Sequence, residues 1–116
     1  MCTLILLLRP DHDWPLLLAA NRDEMIDRPW LPPGHHWPGQ PDVVAGIDRV
    51  GGGSWLGLNS DGLVAAIMNR HGTLGPQAGM HSRGELVFKA LGYDSATVAV
   101  AALAALSSVS YRSFNL

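Results

Sequence analysis

Two prolines, Pro10 and Pro15, stand between two leucine-rich runs, Leu4–Leu8 and Leu16–Ala20. No helix passes through both, because each removes a backbone donor and clashes with the preceding turn. The runs must therefore be short strands. The segment Arg9-Pro10-Asp11-His12-Asp13-Trp14-Pro15 between them is a turn region rich in Pro and Asp. Antiparallel pairing about a turn centred near residue 12 puts Cys2 opposite residue 22, give or take two. The second strand ends abruptly at Asn21-Arg22-Asp23-Glu24. A thiol and a cluster of polar groups are thus expected at one end of one hairpin.

The remaining chain is longer on loops. Met25 to Val43 reads as an irregular segment with Pro29, Pro32, Pro33, Pro38 and Pro41, and with Trp30 and Trp37 between them. Loops of that length inside a domain are usually functional or disordered. The tryptophans favour one that packs down as a lid or pocket wall. Val44 to Val50 has room for a short strand. Asn59-Ser60-Asp61-Gly62 is a turn signature between Ser54–Leu58 and Leu63–Met68, a second hairpin. Ser82-Arg83-Gly84-Glu85 fits a capping box for a helix from about Arg83 to Leu91, with Gly92 as its C′ residue. Asp94 or Ser95 caps a second helix, about Ala96 to Leu106, that is apolar all round and should be buried on both sides. Tyr111 to Leu116 reads as a strand that has just begun. Hairpins followed by two helices make an α+β pattern without βαβ alternation.

Composition narrows the function. The chain has 116 residues, enough for one core, and is 47% hydrophobic but only 16% charged. A net charge of -2 offers no electrostatic footprint for nucleic acid or an anionic membrane. No apolar run reaches the roughly 20 residues of a membrane span. Leu4–Leu8 lacks the basic flank and cleavage site of a signal peptide. The expectation is a soluble cytoplasmic protein. One cysteine excludes an internal disulfide.

That cysteine has two readings. A lone Cys commonly packs as a small hydrophobe. If Met1 is removed, however, Cys2 carries a thiol and a free α-amino group on one Cα. An α-amino pKa of about 7.7–8 leaves much of the amine neutral near pH 7, so it can act as base for its own side chain. Asp23 would orient that amine, Asn21 could donate to an oxyanion, and Arg22 could bind a carboxylate. Asn69, at the end of the second hairpin, could also supply an amide to an oxyanion. Solvated turns with surface ion pairs are the competing account of both clusters. His35 and His36 would face opposite ways on a strand and have no partner at zinc-like spacing, so no metal or cofactor is expected. Gly51-Gly52-Gly53 is not a phosphate loop, since no Gly-Lys-Ser/Thr follows. Close backbone packing or a bulge accounts for it better.

Met1-Cys2-Thr3, Ala20-Asn21-Arg22-Asp23-Glu24, Gly52-Gly53-Ser54-Trp55-Leu56-Gly57, Asn59–Gly62, Asn69-Arg70 and Ser82–Leu86 together resemble the NRDE family, that of transport and Golgi organisation protein 2. Family members are longer, so residues 1–116 would be the N-terminal part of a single domain. The family is in turn similar to the N-terminal nucleophile hydrolases, nearest to choloylglycine hydrolase and penicillin V acylase. That likeness implies part of an αββα sandwich. It also implies Cys2 as nucleophile, Asp23 as the aspartate closing the first hairpin, and Asn69 as the oxyanion asparagine. The hydrolases carry an arginine three residues before the aspartate, where this chain has Ala20; Arg22 is the nearest substitute. The implied activity is a cysteine amidohydrolase acting on an amide or thioester of a small acyl substrate. The alternative is a non-catalytic carrier of a hydrophobic ligand, such as haem or an acyl-CoA, with Cys2 or the His35–His36 loop as contacts.

Overall fold

A computed structural model describes residues 2–116, the side chain of Ser108 excepted. Strands β1 (Thr3–Leu8) and β2 (Leu16–Asn21) pair antiparallel, from Thr3 opposite Asn21 to Leu8 opposite Leu16. The Arg9 N–H donates to the Pro15 carbonyl at 2.7 Å and closes the hairpin across its two prolines. The register places Cys2 against residues 22 and 23, as the turn position predicts.

A four-stranded antiparallel sheet follows in the order β3 (Trp30–Gly34), β4 (Val44–Asp48), β5 (Leu56–Leu58), β6 (Val64–Ala66). β3 corrects the reading of 25–43 as wholly irregular. Its prolines sit on an edge strand, where a missing N–H costs least. They also break the ladder: the register shifts between Leu31 and Gly34, across Pro32 and Pro33. Short strands β7 (Met68–Asn69) and β8 (Phe114–Asn115) pair separately, so the strand expected over Tyr111 to Leu116 is confined to two residues.

Helix α1 (Glu85–Leu91) lies against β5 and β6, and α2 (Ala96–Ala104) lies against α1. The architecture is α+β, with antiparallel sheets and two helices. Val43, Ala45, Ala65, Val87, Ala90, Leu91 and Ala99 form the core, and Trp37 packs on Phe88 at its edge, the rings tilted with centroids 4.0 Å apart. Thus Trp37 does pack down, as its loop composition suggests.

Three local expectations fail for identifiable reasons. The capping box does not form: Gly84 is the N-cap and no side chain caps the helix. Glu85 instead takes Lys89 Nζ at 3.0 Å and the Tyr111 hydroxyl at 2.5 Å. Gly92 is right-handed, with φ of -76°, so α1 does not end in a left-handed cap. Helix α2 buries Ala99 but exposes Val98 and Val100, because α1 is the main element packed against it among the described residues. The glycine run behaves as expected. A Cβ on Gly53 would lie 2.5 Å from the Gly84 backbone, so sheet and helix entry meet through two bare backbones.

Candidate active site

The polar end of the β1–β2 hairpin brings Cys2, Asn21 and Asp23 together. Cys2 Sγ accepts the Asp23 N–H at 3.2 Å and donates to the Asp23 carbonyl at 3.7 Å. These two contacts fix the sulfur against the Asp23 backbone. Asn21 Oδ1 accepts the Thr3 N–H at 2.9 Å, which fixes the amide and pins the start of β1. Asn21 Nδ2 donates to no described residue. Removal of Met1, on which the nucleophile reading depends, lies outside the described residues.

Arg22 goes elsewhere. Its side chain, one residue beyond β2, reaches to the four-stranded sheet. There Nη2 lies 3.2 Å from Asp48 Oδ2, and the guanidinium stacks over Trp55 with Cζ 4.5 Å from the ring centroid. Arg28 Nε takes the same Asp48 oxygen at 2.8 Å, and Glu24 Oε2 lies 3.5 Å from Arg22 and 3.6 Å from Arg28. Asp48 Oδ1 accepts the N–H groups of Val50 and Gly51 at 2.9 and 3.0 Å. Burial pushes the Asp48 carboxyl up, but the Gly51 N–H, Arg28 and the Val50 N–H outweigh it and hold it below the usual range. The indole under Arg22 fits because residue 46 is glycine: a Cβ there would lie 2.4 Å from Trp55. Trp30 meets Trp55 edge to face. Arg22 is therefore already committed to a carboxylate of its own chain.

Asn69 lies in β7, where its backbone pairs with Phe114. Among the described residues no hydrogen bond joins it to Cys2 or Asn21. His35 Nδ1 meets the Pro41 carbonyl at 2.7 Å and His36 Nε2 the Pro32 carbonyl at 2.8 Å, so both rings brace their own loop. Among the described residues no group of three or more potential ligands could hold a metal. No described helix is long and apolar enough to cross a membrane.

Sequence reasoning passed over two residues. Asp48 stands in an unremarkable strand end, with no motif to mark it. Asn59 reads only as a turn residue, yet its buried side chain donates to the carbonyls of Leu91 and Tyr93 and accepts from Asp61 and Leu63. It ties the β5–β6 turn to the end of α1.

A family model for Transport and Golgi organisation 2 matches residues 1–116. The Transport and Golgi organization protein 2 homologs of Bos taurus and Homo sapiens are each 34% identical over 106 residues, covering 87% of this chain and 37% of the relative. The Transport and Golgi organization 2 homolog of Mus musculus is 31% identical over the same length, with the same coverage. The chain thus spans a little over a third of the length of these relatives.

Proposed function

This chain belongs to the transport and Golgi organisation 2 family, and from that premise we propose that it carries the nucleophile end of a cysteine amidohydrolase site. Residues 1–116 are read as the N-terminal part of one N-terminal nucleophile hydrolase-like domain, working in the cytoplasm on an amide or thioester of a small acyl compound. The observation that carries the reading is the pair of contacts between Cys2 Sγ and the Asp23 backbone.

The chemistry runs as follows once Met1 is lost. The α-amino group of Cys2 takes the Sγ proton, and the sulfur attacks the acyl carbonyl carbon. Asp23 orients the amine. Asn69, by resemblance, and Asn21 Nδ2, by its place at the hairpin end, are the side-chain donors assigned to the oxyanion. The tetrahedral intermediate collapses as the ammonium returns its proton to the departing amine or thiolate. Water then attacks the resulting thioester, the α-amino group again taking the proton, and the carboxylic acid leaves with the thiol restored. Arg22 has no part in substrate binding in this scheme.

The second reading is a carrier of a hydrophobic ligand. Leucine-rich strands beside the thiol favour it: Ile5, Leu6 and Leu7 are all exposed. One experiment tests the first reading and bears on the second. The N-terminal mass is measured and the protein is treated with iodoacetamide. The hydrolase reading requires a chain without Met1 whose Cys2 is alkylated faster than free cysteine. A retained Met1, or alkylation no faster than free cysteine, sinks it and leaves the carrier.

A further inference from the structure

Among the described residues, the hairpin that carries Cys2 shares no strand pairing with the four-stranded sheet. Its apolar side chains dock it little, since Leu6, Leu7, Leu8, Leu16 and Leu17 remain exposed and Leu4 and Leu18 are half-buried. What joins the two is polar. Arg22, one residue before Asp23, reaches across to Asp48 and Trp55, and these groups are well shielded: the side chains of Arg22 and Asp48 are 15% and 17% exposed. Asp48 is itself held by two backbone N–H groups on one oxygen, which leaves the other placed for Arg22 whether or not Arg28 shares it.

We infer that Asp48 is a positioning residue for the Cys2 site, acting through Arg22 to hold the Asp23 N–H against Sγ. The inference rests on the reading of Cys2 as the reactive centre. The physical reason is charge balance. Two guanidiniums, Arg22 and Arg28, converge on two carboxylates, Asp48 and Glu24. Without the Asp48 charge the two cations face each other with one anion between them, and Arg22 gains by swinging out to water. The backbone of residues 21–23 moves with it, and Sγ loses its donor. Asp48 need not touch substrate for this. It fixes the frame in which the thiol and the Asp23 backbone meet.

The test is made on the full chain with Asp48→Asn, Arg22→Gln, their double variant, and Arg28→Gln. Arg28 bonds the same Asp48 oxygen but does not lie on the hairpin, so it reports a merely structural loss. Amide hydrogen exchange at Asp23 and the rate of Cys2 alkylation are read against global stability. Asp48→Asn and Arg22→Gln should each speed exchange of the Asp23 N–H by about tenfold relative to the α1 amides, as expected for a local opening. Both should slow alkylation severalfold, and the double variant should add nothing further. Arg22→Lys, which keeps the charge, should recover part of the effect. Arg28→Gln should lower stability while leaving Asp23 exchange and Cys2 alkylation near wild type. Wild-type exchange at Asp23 in Asp48→Asn overturns the inference, as does an equal effect from Arg28→Gln. If wild-type Cys2 proves no more reactive than free cysteine, the nucleophile reading falls, while Asp23 exchange still judges Asp48.

Discussion

Two hairpins of this chain, β1–β2 and β5–β6, are built alike and held differently. Both are short antiparallel pairs with apolar strands and a polar end. The second belongs to a four-stranded sheet with α1 laid across it, and Ala45, Ala65, Val87 and Leu91 are buried between them. The first, β1–β2, is as apolar and stays largely open on its faces, fixed to the rest by Arg22, Asp48 and Trp55. Apolar burial is non-directional and sums over area, so it gives the second region its stability. An ion pair stacked on an indole stabilises less but sets orientation. Stability and the proposed chemistry therefore reside in separate parts of the molecule.

The largest expected effect comes from the well-buried side. Leu86 is 1% exposed, and Leu7 on the first hairpin is 48% exposed. Leu86→Ala should cost about 3 kcal/mol in urea unfolding, through lost transfer energy and a residual cavity. Leu7→Ala should cost under about 0.5 kcal/mol. Equal costs would break the division into a stable core and a tethered hairpin. Next in size is Asn59→Asp. It keeps the acceptor for Asp61 and Leu63 but turns a carboxylate toward the carbonyls of Leu91 and Tyr93. A loss of about 2 kcal/mol is expected from two unmade buried bonds, with Cys2 alkylation unchanged. A slower alkylation rate there would show that the two regions are coupled.

Acid should separate the regions without mutation. The folded pKa of Asp48 is depressed, so its contribution is complete above the ordinary aspartate value of 3.8 and is lost as pH falls through the folded value. Glu85 is also depressed: burial raises it, and the Tyr111 hydroxyl and Lys89 outweigh that. Lowering the pH through that folded value should shift the Trp55 indole resonance as Arg22 leaves it, before α1, held by apolar burial, unfolds. Asp48→Asn should remove that early change and Glu85→Gln should not. Simultaneous loss of both regions in wild type would contradict the comparison.

Much of the fold is legible in the sequence because its signals are local. Pro10 and Pro15 exclude a helix and set a turn, and with the turn comes the register that brings Cys2 to Asp23. Asn59–Gly62 marks the second hairpin for the same reason. What escapes the sequence depends on partners far along the chain. The Ser82–Glu85 spacing suits a capping box, but Tyr111, 26 residues on, competes for Glu85 and wins. Pro32 and Pro33 argue against a strand, and only an edge beside β4 admits one. Arg22 looks like a substrate-binding cation until Asp48, 26 residues away, takes it up. The site is half legible by the same rule. Cys2, Asn21 and Asp23 are joined by one turn, whereas Asp48 reaches them through tertiary packing that no pattern announces.

The smallest expected effect sharpens the comparison through a second ion-pair cluster. Lys89, Glu85 and Tyr111 tie α1 to the C-terminal segment, with Lys89 Nζ 3.0 Å from Glu85 and 2.9 Å from the Tyr111 hydroxyl. Its geometry is as good as that of Arg22 and Asp48, and its exposure is not: the Lys89 and Glu85 side chains are 45% and 37% exposed. Water and salt screen such a pair, so Lys89→Gln should cost only about 0.3–0.5 kcal/mol. That cost should fade as sodium chloride is raised to about 1 M, where the screening length is about 3 Å. The exchange rate at Asp23 should resist the same salt, because Arg22 and Asp48 are shielded by Trp55 and the hairpin. A salt-sensitive Asp23 amide would mean that solvent reaches the Arg22 contact, and that polar docking of the hairpin is weaker than its geometry implies.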